Sequence, residues 1–268
     1  MYSYGQIECL THEQADLVAT QIDQLQQYWI PRGTSQYPDV HMYTLGVASY
    51  IDCKPYQRYT EGKSIFNPIL LNSFDWLYNI VVQKVTENFG QAEIFNTLAV
   101  PGFHVMGHKP NATLIPQDKY QCSDKYPCTS IHIDYPQYEH KIWIEQFQSI
   151  DWDNPLTLTL PIELPHNGGG LYTWLNQEPL KKHAYSNFTE GTIGALGWDS
   201  NTQITLRNIQ YKEMHNPFLR LYQLGELSYA FGFPIHQICE GGNLLPDDRR
   251  ITLQIHALKC DGIWRLFF

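Results

Sequence analysis

After Gly90 the chain becomes a series of short β-like runs: 94–100, 103–106, 130–133, 156–164, 171–174, 192–196, 203–206, 227–231, 235–238 and 250–257. Gly and Pro separate many of them. So many short strands in about 170 residues point to a sandwich, barrel or jelly roll. An aromatic content of 14% favours the same β-rich reading and ring-lined pockets. The expected fold is therefore mainly β with flanking helices.

The flanking helices belong to the first third. Thr11-His12-Glu13-Gln14 has the form of a capping box, and Ala15, Val18, Ile22, Leu25 and Trp29 follow at helical spacing until Pro31. A second helix is predicted to start at Asn67-Pro68, with proline in the first helical position. Leu70, Phe74, Leu77, Val81, Val85 and Phe89 would form its buried face, and Gly90 its end. The predicted organisation is a single domain, 1–268. Residues 1–92 form a mostly helical part packed on the core, and 93–268 form the β core with an insertion at about 175–222. The segments 135–153 and 175–222 are too long for simple turns, and long loops on a rigid sheet commonly carry substrate contacts.

With 268 residues, 43% hydrophobic and 17% charged, the chain can bury a sizeable core and shows no sign of disorder. Eighteen Lys and Arg against 27 Asp and Glu leave a net charge of -9, which disfavours nucleic acid as a partner. No apolar run is long enough for a membrane span, and the first residues lack a basic stretch followed by an apolar one. A cytoplasmic protein with a small-molecule substrate and no membrane or nucleic-acid partner is expected. The six cysteines form no CxxC, so free thiols are expected; Cys122 and Cys128 are the pair near enough to bridge locally.

Two motifs carry chemistry. In Ile131-His132-Ile133-Asp134, strand alternation places the imidazole of His132 and the carboxylate of Asp134 on one face. A third ligand is offered by His236, with His166, His183 and His215 as alternatives. Two histidines and one carboxylate leave three positions of an octahedral ion open, which suits non-haem Fe(II). The second motif is Arg249-Arg250-Ile251-Thr252-Leu253-Gln254-Ile255-His256, whose alternation gathers Arg250, Thr252, Gln254 and His256 on one face. A buried arginine needs an anion. A dicarboxylate cosubstrate would supply one, and so would a structural partner among Asp247, Asp248 and Glu240.

In this order the motifs resemble the Fe(II)/2-oxoglutarate-dependent oxygenase superfamily. The resemblance runs over about residues 98–260: His132 and Asp134, the 156–164 strand, Gly168-Gly169-Gly170-Leu171, Gly225-Glu226-Leu227, His236, and Arg250-Ile251-Thr252 as the closing element. Pro101-Gly102-Phe103-His104 more loosely resembles small bacterial enzymes that hydroxylate or chlorinate free amino acids. The interval of about a hundred residues between Asp134 and His236 departs from the family and is attributed to the 175–222 insertion.

The resemblance implies a double-stranded β-helix (jelly-roll) core. It implies Fe(II) on His132, Asp134 and His236, and 2-oxoglutarate on Arg250 and Thr252 with support from Gln254. It implies O2 consumption, with succinate and CO2 as co-products of hydroxylating an unactivated C–H bond in an amino-acid-like metabolite. Because Asp134 fills the position that related halogenases leave small, hydroxylation is expected over chlorination. Phe103, His104, Tyr135 and Trp174 are the candidate substrate contacts. The rival classes are a non-redox, cupin-like metal- or ligand-binding jelly roll, which has no need of Arg250, and a zinc hydrolase, which would want a glutamate base beside the metal.

Overall fold

The computed structural model describes residues 3–32, 42–52, 56–107, 134, 142–166, 169–174, 218–232, 234–239 and 248–268. In chain order the elements are β1 (Tyr4–Glu8), α1 (His12–Gln24), a 3-10 turn (Gln26–Tyr28), β2 (Ile30–Pro31), β3 (Met42–Leu45), α2 (Ser49–Asp52) and α3 (Tyr56–Phe89). There follow β4 (Ala92–Ile94), β5 (Gly102–Gly107), α4 (Ile142–Gln146), β6 (Ile150–Glu163), β7 (Gly170–Trp174) and β8 (Phe218–Leu221). The chain closes with β9 (Glu226–Phe231), β10 (Ile235–Cys239), β11 (Arg249–Cys260) and β12 (Ile263–Phe267). The fold is mainly β with flanking helices, as expected. None of the described helices is long and apolar enough to cross a membrane.

The strands form two sheets. The larger runs β1-β9-β6-β11-β5-β3-β2, with β12 on β11 and β4 beside β12. The smaller is β10-β7-β8. In the large sheet β11 is central: one edge pairs β6, and the other pairs β5 over Arg249–Gln254 and then β12 over His256–Cys260. The edge strands β1 and β8 of the two sheets are tied by Gln6, whose side-chain amide donates to the Leu221 carbonyl at 3.0 Å.

Alternation gives each central strand two faces. Phe103, Val105, Leu156, Leu158, Leu160, Ile251, Leu253 and Ile255 belong to one core cluster together with Val18 and Ile22 of α1 and Phe74, Leu77 and Val81 of α3. Phe74 and Phe103 meet at 4.7 Å between ring centroids. Burying such a side chain contributes about 1.5–3 kcal/mol, so this layer accounts for most of the cohesion between helices and sheet. Helix α1 begins as read: Thr11 and Gln14 form a reciprocal capping box.

Helix α3 starts at Tyr56, earlier than Asn67-Pro68, and carries Pro68 inside it. Its non-helical residue is Phe74 (φ -127°, ψ 21°). Asn67 is occupied elsewhere: its amide donates to the Asn96 and Leu98 carbonyls and accepts from Val100 N–H. Tertiary anchoring therefore replaces the capping role that the Asn-Pro pair suggests. Gly90 ends the helix at φ +104°, in the left-handed region that glycine favours.

The predicted strand 94–100 is β4, Ala92–Ile94, followed by irregular chain, while β6 and β11 run longer than read. The first 92 residues also give β1, β2 and β3 to the large sheet. The predicted strands 130–133, 192–196 and 203–206 lie outside the described residues, as do Cys122 and Cys128. Cys9 and Cys260 are free, buried thiols, and burial pushes both up to about 12.

Candidate functional site

The other face of the large sheet is also covered, yet polar. Cross-strand register aligns Met42 with Met106 and Arg250, Thr44 with His104 and Thr252, Gln254 with Thr159 and Ser228, and His256 with Thr157 and Ala230. Towards the β12 end the same face turns apolar, where Leu258, Cys260 and Phe267 pack with Trp143 of α4 and Phe95.

Asp134 and His236 are brought together here. Both are buried. The His236 Nε2 lies 3.6 Å from Asp134 Oδ1, too long for a hydrogen bond. Its Nδ1 is 3.0 Å from the Pro234 carbonyl. Only an N–H can meet a carbonyl, so Nδ1 carries a proton, and Nε2 is the nitrogen that faces the carboxylate. Asp134 Oδ2 accepts from the Thr157 hydroxyl at 3.1 Å. A ring nitrogen and a carboxylate oxygen at about this separation suit one cation, since donors each about 2.1 Å from an ion stand roughly 3–3.5 Å apart. His256 packs beside Phe267, 5.9 Å between centroids. Burial holds its pKa down to about 4, with Asp134 raising and His236 lowering it, so it stands neutral near the pair. His132, the expected third ligand, lies outside the described residues, as do His183 and His215. His166 is exposed, and its amide bonds Asp248.

The second half of the site is Arg250. Six arginines lie among the described residues. Arg32 and Arg58 pair with Asp52, Arg249 pairs with Asp23 and Glu163, and Arg265 pairs with Glu93. Arg250 has no carboxylate among the described residues, although it is only 8% exposed. Its Nε is buried with no hydrogen-bond partner, and its Nη1 reaches only the Met106 sulfur at 3.9 Å. Asp248, one candidate structural partner, makes no ion pair with it; Asp247 and Glu240 lie outside the described residues. Thr252 is buried two residues along the same face.

Tyr222, which sequence reasoning passed over, covers this guanidinium. Its ring centroid is 5.3 Å from the Arg250 guanidinium carbon, and its hydroxyl stands near Arg250 and Thr159. The Thr159 hydroxyl donates to Gln254 at 3.0 Å. Burial raises the pKa of the Tyr222 phenol, so it stays protonated. Its backbone N–H bonds the Gly169 carbonyl at 2.8 Å, which fixes Tyr222 at the end of β8.

His104 lies on the polar face beside Arg250, its ring 5.4 Å from that of Phe268. Burial, then the charges of Arg250 and Arg32, hold its pKa down to about 3, so it is a neutral imidazole. Phe103 points the other way, into the core against Phe74. Trp174 pairs through its backbone with Ile235, and Tyr135 lies outside the described residues. The structure thus gathers Asp134, His236, Arg250, Thr252, Gln254 and His104 on the polar side and leaves Phe103 out.

No family model matches the chain, and no curated protein matches it. Solved structures similar to it include the epimerase SnoN in complex with Fe3+, alpha ketoglutarate and nogalamycin RO, at 10% identity, covering 94% of this chain and 78% of that one with a TM-score of 0.45. The non-heme alpha ketoglutarate dependent carbocyclase SnoK from nogalamycin biosynthesis is 10% identical over 99% of this chain and 92% of that one, with a TM-score of 0.42. EvdO2 from Micromonospora carbonacea var. aurantiaca is 10% identical over 96% and 86%, also at 0.42. At such identities a likeness assigns no residue and no activity.

Proposed function

We propose that this protein is an Fe(II)- and 2-oxoglutarate-dependent oxygenase that hydroxylates an unactivated C–H bond of a small, amino-acid-like metabolite. The observation that carries the reading is the buried Arg250, which has no carboxylate among the described residues and lies on the same polar face as the Asp134–His236 pair. A non-redox jelly roll has no use for such a charge. A buried guanidinium without an anion is costly, and the distal carboxylate of 2-oxoglutarate would satisfy it with a forked, charge-assisted contact.

The donor set fits the metal as well. His236 Nε2 and Asp134 Oδ1 are a nitrogen and an oxygen 3.6 Å apart, and His132 would join them through the sequence pattern. Bound iron with 2-oxoglutarate and O2 would supply the oxidising power, with succinate and CO2 as co-products. The protein's own residues do the rest. The Pro234 carbonyl orients the His236 ring, and Thr157 holds the Asp134 carboxylate in place. Arg250 and Thr252 anchor the cosubstrate, with Gln254 behind Thr159, and Tyr222 shields that end from water. His104 stands neutral beside the anchor and adds no competing charge.

The test is anaerobic addition of Fe(II) and 2-oxoglutarate to the metal-free protein, followed by visible spectroscopy. A weak charge-transfer band that disappears in both His132→Ala and His236→Ala is the expected result. A folded, iron-binding protein that gives no band overturns the cosubstrate assignment.

A further inference from the structure

Arg250 is not the only guanidinium without a carboxylate. Arg220 of β8 is the other among the six described arginines. The chain has nine more acidic than basic residues, so two arginines with no carboxylate among the described residues run against its composition. Arg220 Nε donates to the Thr173 hydroxyl at 3.2 Å. Its guanidinium carbon sits 4.1 Å from the centroid of the Tyr4 ring. Among the described residues the two terminal amino groups of its fork carry no hydrogen bond.

Its neighbours place it at the same site. Thr173 lies directly across from His236 in the β7–β10 pair and is fully buried. On the large sheet, Tyr4 lies across from Ala230, and Ala230 across from Thr157. Thr157 bonds Asp134, and Asp134 faces His236. The path from Arg220 through Thr173, His236, Asp134, Thr157, Ala230 and Tyr4 returns to Arg220. Strand register thus puts the Arg220 fork and the candidate metal pair on the same face of the small sheet, with Tyr4, Ala230 and Thr157 in line across the large one. Gly170 fixes the approach of β8: a Cβ there would run into the Arg220 carbonyl.

We infer that Arg220, backed by the Tyr4 ring, binds the carboxylate of the substrate. The inference rests on the oxygenase reading and narrows it to acids. It also sets a size. Arg220 is two strands from His236, roughly 10 Å at the usual strand spacing, so a carboxylate on the fork leaves room for a few carbons before the metal pair. That is the length of an amino acid or a short derivative. An arginine on an aromatic face with both terminal groups open is suited to forked recognition of a carboxylate, and lysine is a poorer substitute. If Arg220 only riveted β8 to β1, Nε and the Tyr4 contact would suffice and the fork would bind nothing.

The experiment uses the protein loaded anaerobically with Fe(II) and 2-oxoglutarate. The probes are the twenty L-amino acids, their N-acetyl derivatives and the matching primary amides, with dissociation constants measured by calorimetry. At least one acid should bind, and its amide at least tenfold more weakly. Arg220→Met should abolish that difference while leaving the 2-oxoglutarate constant within about twofold, which also reports that the pocket is folded. Arg220→Lys should restore part of the preference for acids, and Tyr4→Leu should weaken the acid severalfold. Undiminished preference in Arg220→Met, or no acid bound by wild type, overturns the inference. Equal loss of acid and of 2-oxoglutarate in both Arg220 variants overturns it too, because Arg220 would then serve the pocket as a whole. Failure of the wild type to bind 2-oxoglutarate would instead sink the oxygenase reading.

Discussion

Strands β5, β6 and β11 present two buried faces made from alternate residues of the same segments. On one, Phe103, Leu158, Leu160, Leu253 and Ile255 meet helices α1 and α3. On the other, His104, Thr159, Arg250, Thr252, Gln254 and His256 meet the small sheet and Tyr222. Apolar contacts are non-directional, so the first face needs only volume and shape. Each group on the second needs a particular partner. The adjacent arginines show how differently the chain treats the two sides. Arg249 is saturated by Asp23 at 2.6 Å and Glu163 at 2.6 Å, whereas Arg250 is buried with no carboxylate among the described residues. On the proposed reading the second arginine is kept for something the protein binds.

Truncation on each face should separate the two roles. Leu253→Ala removes a fully buried side chain from the core cluster and should cost about 2–5 kcal/mol of stability in chemical denaturation. The protein that remains folded should bind 2-oxoglutarate normally. Arg250→Met should do the reverse. Loss of the anchoring charge should weaken 2-oxoglutarate by about 100-fold or more, read by calorimetry on the iron-loaded protein under argon. Its midpoint of denaturation should stay level or rise, because a buried charge with no carboxylate among the described residues has been replaced by an apolar chain of similar length. A large loss of stability in Arg250→Met would mean that the arginine has a structural partner, and the contrast between the faces would fail.

What the sequence discloses follows the same division. Alternation in 250–256 shows the polar face of β11 without any tertiary knowledge, and the Thr11–Gln14 box shows the start of α1. The pairing of His236 with Asp134 is legible only through its place in a family pattern, since the two residues come from distant segments. Alternation also bears on Phe103 and His104: neighbours in one strand face opposite ways, so the pair cannot both line the site. Tyr222 was not legible. It is one of 18 tyrosines, and its position depends on β7–β8 pairing, which Gly170 permits by close approach. Arg220 was hidden for the same reason, inside a stretch read as insertion. The early start of α3 was masked by Asn67-Pro68, whose local propensity for a helix start loses to the Asn67 anchors on Asn96, Leu98 and Val100.

Acid should expose the polar face selectively. His104 titrates at about 3 when folded against 6.5 for an ordinary histidine, because burial and the charges of Arg250, Arg32 and His256 oppose protonation more than Asp134 favours it. The unfolded chain therefore binds a proton that the folded one refuses between these values. Stability present above pH 6.5 is lost as pH falls toward 3, with a slope of up to about 1.4 kcal/mol per pH unit from this group. Denaturation midpoints of wild type and His104→Gln between pH 7 and 5 measure it. The variant should show a shallower dependence by about one proton, and parallel curves would mean that His104 does not stay neutral.

The smallest effect should come from Tyr222→Phe. The ring is kept, so the cover over Arg250 survives, and only the hydroxyl between Arg250 and Thr159 goes. Arg250 loses a neighbouring hydroxyl, and Thr159 keeps Gln254. A neutral polar contact of this kind contributes up to about 1 kcal/mol net, so the protein without cosubstrate should be destabilised by no more than that. With 2-oxoglutarate saturating the site, the carboxylate itself satisfies Arg250, and the difference between wild type and variant should shrink. Comparing melting temperatures with and without the cosubstrate tests this. If the gap stays constant, Tyr222 braces the sheets whether or not an anion is present. If it closes, the hydroxyl serves as a stand-in for the ligand, and the polar face is then built to be completed by something the chain does not itself contain.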